Sequence, residues 1–318
     1  MAVQHQISPA FAHMNGQDTP HMKIAFVGLG QMGRPMAANL LRVCPGLLVS
    51  TPSGRGYPEL ETLGAVPTDD RRALASSDIV FLSLPNAEVV EAFLFGVEGV
   101  AQWMRPGSIV VDTSTIGYTQ TVELTGRLAA RDIRFMDAPV SGMEARAVEG
   151  TLTAMCGGSQ QVFDDIAPYL RSMASTLLHM GASGTGQLAK LINQLLFDIN
   201  CAALAEILPM AVKLGLDAEK VAAIVNSGTA RSYASEFFLP HILADRFGNG
   251  YPMKHAYKDL VSGAQLSTGL CIPLPMLAAA TATYQTALLQ GHGDSDKGAM
   301  IKVYEHLLGV SFRAHPAP

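Results

Sequence analysis

A chain of 318 residues with 48% hydrophobic and 15% charged side chains carries enough apolar material for about two buried cores. Its formal net charge of −5 and its lack of any basic run leave no footprint for nucleic acid. The four cysteines, Cys44, Cys156, Cys201 and Cys271, have neither the spacing of a zinc site nor that of a disulfide framework, so free thiols in a reducing, cytoplasmic compartment are expected.

Residues 1–21 lack the charged start and continuous apolar stretch of a signal peptide and read as a polar, disordered extension, with Met22 as an alternative start. From 23 to about 180, short apolar runs alternate with helical patterns, which predicts a mostly parallel sheet with helices on both faces. Strands are expected at Lys23–Val27, Leu47–Ser50, Ile79–Leu84, Ser108–Asp112, Ile133–Asp137, Leu152–Cys156 and Thr176–Met180. Helices fill the intervals, among them Thr119–Arg131, with apolar Val122, Leu124 and Leu128, and Gln160–Met173.

The first strand leads into Gly28-Leu29-Gly30-Gln31-Met32-Gly33 and then into the helix-patterned Pro35–Arg42. In that setting G-x-G-x-x-G lets the strand turn sharply, brings backbone close to a pyrophosphate and aims a helix N-terminus at its charge. Dinucleotide binding is the implied function. Its ligand should lie along the carboxyl ends of the strands, where Ser50–Ser53, Leu84–Asn86, Asp112–Thr115 and Asp137–Gly142 form polar or proline-containing turns.

After Gly181–Gly186 the texture changes. Leu188–Leu214 reads as one long helix in which Pro209 should produce a kink or a split. Further helices are expected over 217–227, 231–246, 254–268, 273–290 and 296–308, with no strand among them. The predicted fold is therefore α/β: a Rossmann-type doubly wound sheet over 22–183, followed by an all-helical C-terminal domain over 184–318 for substrate and oligomerisation. Polar residues interrupt the apolar stretches before a membrane-spanning length, so no membrane partner is expected.

Several segments, in order, resemble the β-hydroxyacid dehydrogenase family, which includes 3-hydroxyisobutyrate dehydrogenase and tartronate semialdehyde reductase. They are Gly28–Leu40, Leu84-Pro85, Asp112-Thr-Ser-Thr115, Asp137–Gly142 with Gly150-Thr-Leu152, Gly184–Lys190 with Asn193, and Lys258-Asp-Leu260, and the resemblance spans about 22–308. It implies hydride transfer between a nicotinamide and a small β-hydroxy acid or its semialdehyde, in a homodimer or homotetramer. Lys190 matches the catalytic lysine, and desolvation would suit it to acid or base work by favouring its neutral form.

Ser141 and Gly142 match the family's carboxylate-binding turn, but Met143 stands where a second glycine is usual and carries a steric cost if the position needs positive φ. Asn193 and Gln194 share the helix side of Lys190, three and four residues on. Many members have a second asparagine where Gln194 stands; the Asn-Gln pair looks like the tartronate semialdehyde reductase branch. Leu84, Pro85, Thr115 and Lys258 match residues beside the cofactor, and Lys258, coming from the helical half, puts the expected active site between the domains.

Cofactor choice turns on the end of the second strand, where Thr51 occupies the position of an NAD-binding acid. Thr51, Ser53 and Arg55 are suited to a 2′-phosphate, which favours NADP over NAD. Among other readings, decarboxylating 6-phosphogluconate dehydrogenases need a larger helical domain, imine reductases generally lack the lysine, and a non-catalytic regulator would bind NADP(H) without turnover. No metal is expected, since His255, His292 and His306 lack ligand spacing and His179 reads as structural.

Overall fold

The computed structural model describes residues 22–248 and 250–314; the extension expected over 1–21 lies outside the described residues. One compact unit runs to Gly184 and a second begins at Thr185.

The first unit starts with β1 (Ile24–Val27), α1 (Gly33–Leu41), β2 (Leu48–Ser50), α2 (Tyr57–Thr62), β3 (Val66–Pro67), α3 (Arg71–Ala75), β4 (Ile79–Leu82) and α4 (Ala87–Phe95). It continues with β5 (Ile109–Asp112), α5 (Tyr118–Ala129), β6 (Arg134–Asp137), β7 (Val140–Ser141), α6 (Met143–Glu149), β8 (Leu152–Gly157), α7 (Gln160–Leu170) and β9 (Ala174–Gly181). The sheet order is β3-β2-β1-β4-β5-β6-β8-β7, with β9 also paired to β8.

Side chains alternate across a strand, so a sheet covered on both faces sends neighbouring residues into different cores. Ile24 and Phe26 of β1 join Met36, Ala147 and Ile166 on one face, whereas Ala25 and Val27 join Leu74, Val90 and Leu124 on the other. This is the doubly wound arrangement. It places the carboxyl ends of β1, β2, β4, β5 and β6 side by side along one edge, through the register pairs Val27↔Ser50, Val27↔Leu82, Leu82↔Asp112 and Asp112↔Asp137.

The sheet departs from the expected one at its margins. Strands β3 and β7, each of two residues, are too short to generate an alternating pattern and went unforeseen. Strand β8 runs antiparallel to β6 and β7, so only the run from β3 to β6 is uniformly parallel. On α5, Leu124 and Leu128 are buried as expected, but Val122 is 43% exposed and Thr121 takes the inward position.

The second unit comprises α8 (Thr185–Lys213), α9 (Ala218–Ser227), α10 (Tyr233–Leu243), α11 (Met253–Gly269), α12 (Pro275–Leu289), a 3₁₀ turn (Lys297–Met300) and α13 (Ile301–Leu308). Pro209 does not split α8. A proline inside a helix loses a hydrogen bond and costs about 3 kcal/mol, but α9 to α13 all pack against α8, and Ala205, Leu208 and Pro209 are buried. Contrary to the expected interruption, α8 is long and apolar enough to cross a membrane by length and composition. Its buried polar residues Lys190 and Asp198, and its contacts with α9 to α13, are those of a central bundle helix.

Candidate active site

The three glycines of the first loop can be assigned separate tasks. At Gly28, φ is +97° and an added Cβ would lie 2.2 Å from the Ser83 carbonyl oxygen; at Gly33 it would lie 1.9 Å from the Gly28 carbonyl oxygen. Neither position admits a side chain. At Gly30 an added Cβ would meet nothing within 4 Å, so this backbone borders open space. A loop closed at its first and third glycines and open at its second fits the close approach of a pyrophosphate.

Helix α1 starts at Met32 with no side-chain acceptor over its first turn, which suits it to an anion. Leu29 is buried and has only its backbone to offer a ligand, whereas Met32 packs partly against the core. The Gln31 amide donates to Glu144 Oε2 at 2.7 Å, joining the glycine loop to the first turn of α6.

At the end of β2, Thr51 is buried, its N–H donates to the Tyr57 hydroxyl at 2.9 Å and that hydroxyl lies 3.2 Å from the Thr51 carbonyl. The Thr51 backbone is thus pinned, while Ser53 and Arg55 are exposed on the turn beyond it. Two residues not anticipated from the motif stand nearby. Arg34, held by Glu59 at 3.0 Å, lies against Gly56, and Asp69 contacts the Tyr57 hydroxyl at 3.1 Å.

The next strand ends are tied to one another. Leu84 N–H donates to Ser114 Oγ at 2.8 Å, which connects the Leu84-Pro85 turn with the Ser114-Thr115 turn. Asp112 and Asp137, paired in register, are both fully buried, and Asp137 accepts from the Gly184 N–H at 2.6 Å. Burial pushes the Asp112 carboxyl up to about 7, against hydrogen bonds from Ser114 and with some help from the negative Asp137.

Beyond β6 the candidate carboxylate turn brings together Ser141, Gly142 at φ +140° and Met143 at φ +61°. Met143 therefore does occupy the left-handed region, at a cost of about 1–2 kcal/mol for a residue with a Cβ. His179 Nε2 donates to the Gly158 carbonyl at 2.8 Å, and its ring lies against Phe163, a structural setting.

In the helical unit, Lys190 is 8% exposed. Its ammonium donates to Gln194 Oε1 at 3.0 Å, and Gln194 Nε2 donates to Asp259 Oδ2 at 3.3 Å. Asn193, exposed on the same helix, lies 3.4 Å from the same Gln194 oxygen. Both ends of the Gln194 amide thus have protein partners, and the residue ties the lysine on α8 to the acid on α11. Burial draws the lysine down from its usual 10.5 to about 8, with Asp259 opposing and Lys297 reinforcing the fall. The result is an amine that gains and loses a proton near neutrality.

Asp259 was legible as the neighbour of the matched Lys258, but its role was not. Asp198 and Lys297, which also act on Lys190, were missed outright. Asp198 carried the available signal, standing eight residues after Lys190 on one helix face.

Residues 23–181 match the family described as the NAD binding domain of 6-phosphogluconate dehydrogenase, and residues 184–304 match the NAD-binding family of NADP-dependent 3-hydroxyisobutyrate dehydrogenase. The chain is 37% identical over 292 residues to 2-(hydroxymethyl)glutarate dehydrogenase of Eubacterium barkeri, covering 91% of this chain and 97% of that one. It is 33% identical over 285 residues to 2-hydroxy-3-oxopropionate reductase of Escherichia coli K12, covering 89% and 97%. The crystal structure of 3-hydroxyisobutyrate dehydrogenase from Salmonella typhimurium superposes with a TM-score of 0.81 at 29% identity, covering 89% of this chain and 99% of that one.

Proposed function

The chain belongs to the β-hydroxyacid dehydrogenase family, as an NAD(P)-dependent oxidoreductase, and on that premise we propose that Lys190 is its general acid and base for a small β-hydroxy acid or the corresponding semialdehyde. The nicotinamide, when bound, supplies or accepts the hydride. In the reducing direction the Lys190 ammonium gives its proton to the aldehyde oxygen as the carbon receives hydride; in the oxidising direction the neutral amine removes the hydroxyl proton. The observation that carries this reading is the buried Lys190 ammonium, held on Gln194 and depressed to about 8. An amine of ordinary affinity would be almost wholly protonated at neutral pH and a poor base.

Ser141 and Gly142 bind the substrate carboxylate, with the Met143 side chain narrowing that turn. Asn193 contacts the substrate beside Lys190, while Gln194 holds the lysine and extends the same polar surface. Gly28 to Gly33, Leu84, Pro85 and Thr115 are the first unit's residues for the cofactor, and Lys258 is the helical unit's. NADP is the preferred form: Ser53 and Arg55 are exposed beyond Thr51, and the second matched family is described as NADP-dependent. The active enzyme is a homodimer or homotetramer, a reading supported by Ile192 and Leu196 on α8, each 61% exposed. It works in the cytoplasm, in keeping with four free cysteines.

The test is NADPH and NADH oxidation with a panel of small semialdehydes, with Lys190→Ala alongside. Turnover that disappears in the variant while NADPH still binds supports the assignment. Turnover that survives in Lys190→Ala removes Lys190 from the chemistry, and tight NADPH binding without turnover across the panel points to a non-catalytic binding protein.

A further inference from the structure

Helix α8 carries Lys190, Gln194 and Asp198 at four-residue spacing, so they follow one another along one face. The first two belong to the site above; Asp198 lies one turn further on and has partners of its own. Its Oδ1 pairs with the ammonium of Lys297, from the 3₁₀ turn, and accepts from the Tyr284 hydroxyl of α12 at 3.0 Å. Asp198 and Tyr284 are fully buried and Lys297 is 3% exposed, its ammonium 4.3 Å from the centre of the Phe197 ring.

Removing two opposite charges from water is costly, and well-packed apolar side chains often hold helices together as well or better. An ion pair adds what apolar packing lacks, a fixed local field. This one begins a single helical turn beyond the amide that holds Lys190.

We propose that Asp198 and Lys297 are positioning residues for the reaction: a buried, oriented ion pair that sets how readily Lys190 exchanges its proton. The inference rests on the reading of Lys190 as acid and base. The groups acting on Lys190 are Asp259 and Lys258 of α11, Asp198 of its own helix and Lys297 of the 3₁₀ turn. Tyr284 of α12 adds its hydroxyl to Asp198, and Tyr251 faces Asp259. Within this set Asp198 favours the charged lysine and Lys297 disfavours it. The two effects offset while both residues are present, and removal of either leaves the other unopposed.

The variants Lys297→Met and Asp198→Asn therefore act in opposite directions. In Lys297→Met the Asp198 carboxyl, already raised by burial, loses the cation that holds it down; where it is ionised it holds the proton on Lys190 and moves the alkaline limb of kcat/KM for semialdehyde reduction upward by up to about one pH unit, the effect of one charge about two helical turns away. In Asp198→Asn the limb moves downward by a similar amount, and the double variant returns toward the parent. A merely structural pair would lower stability without opposite displacements of the profile.

The second readout is NMR titration of isotope-labelled lysine ε-carbons in the full chain, with the Lys190 signal identified by its loss in Lys190→Arg. Opposite shifts of that titration, with no turnover even in the parent, would support the pair and remove the acid and base role. Unmoved midpoints in both single variants, each confirmed as folded by its thermal transition, would overturn the proposal whatever the turnover. The double variant guards against misfolding, because it leaves no unpaired buried charge.

Discussion

Replacing Lys190 by methionine should make the protein more stable at pH 7 while abolishing turnover. Burial draws the lysine from 10.5 to about 8, a difference of about 3 kcal/mol at 1.36 kcal/mol per pKa unit. The sign follows from proton counting. Between pH 8 and 10.5 the unfolded chain binds the proton more tightly than the folded one, so stability rises with pH through that window and the charged lysine weighs against the fold below it. Methionine has similar reach and no charge, but it leaves Gln194 Oε1 with only the longer 3.4 Å bond from the Asn193 amide. That loss offsets about 1–2 kcal/mol of the gain. The expected net is about 1–2 kcal/mol at pH 7, vanishing or reversing above pH 10.5. Thermal unfolding followed by circular dichroism at both pH values, beside the NADPH assay, measures it. A less stable variant at pH 7, or an equal gain at both pH values, would refute the claim that desolvation sets the lysine's proton affinity.

Gly30→Ala should leave the melting temperature almost unchanged yet weaken NADPH about tenfold or more in a fluorescence titration, because a methyl would enter only the cofactor's space. Gly28→Ala and Gly33→Ala, whose methyls would meet backbone at 2.2 and 1.9 Å, should lower the melting temperature itself; equal behaviour of all three would undo the division of tasks. Arg55→Ala should weaken NADPH by about 10-fold or more through the loss of a charged contact and leave NADH unaffected, as read by paired binding titrations. Asp112 binds its proton more tightly in the folded state, up to about 7 against 3.8 unfolded, so its contribution is fully present below pH 3.8 and is lost as pH rises through about 7. Denaturant titration across pH 4 to 8 should find that Asp112→Asn removes up to about 4 kcal/mol of this dependence; an unchanged slope would mean that another group carries it.

Local periodicity made the parallel run of strands and the long α8 readable, because each of those strands is buried on both faces and each helix presents an apolar face. Strands β3 and β7 were unreadable for the opposite reason: two residues make no pattern, and their pairing is decided by β2 and β8. The split offered for Pro209 failed because a local rule met tertiary packing along the whole of α8. In the candidate site, short motifs supplied Lys190, the glycine loop and the Ser141 turn as candidates. Gln194 was found beside Lys190 but its tie to Asp259 was not, since that contact spans 65 residues, and the Lys297 contact with Asp198, which was also missed, spans 99. No short pattern carries a contact of that separation.

Each unit departs from ordinary folding rules at or beside its candidate residues, while Asp132, Asp245 and Cys271 also take positive φ elsewhere. Met143 stands in the left-handed region where glycine would be free of its Cβ cost, Lys190 is buried and destabilising, and Asp198 with Lys297 places two charges in an apolar bundle. Selection for stability alone would remove all three, by glycine at the first and apolar side chains at the others. On the proposed reading each has a use: Met143 at the turn proposed for a carboxylate, Lys190 as the proposed acid and base, and the Asp198–Lys297 pair on the helix face that carries that lysine. Strain and buried charge are energetically unrelated, so the proposed catalytic roles would give their retention a common reason that stability alone does not supply.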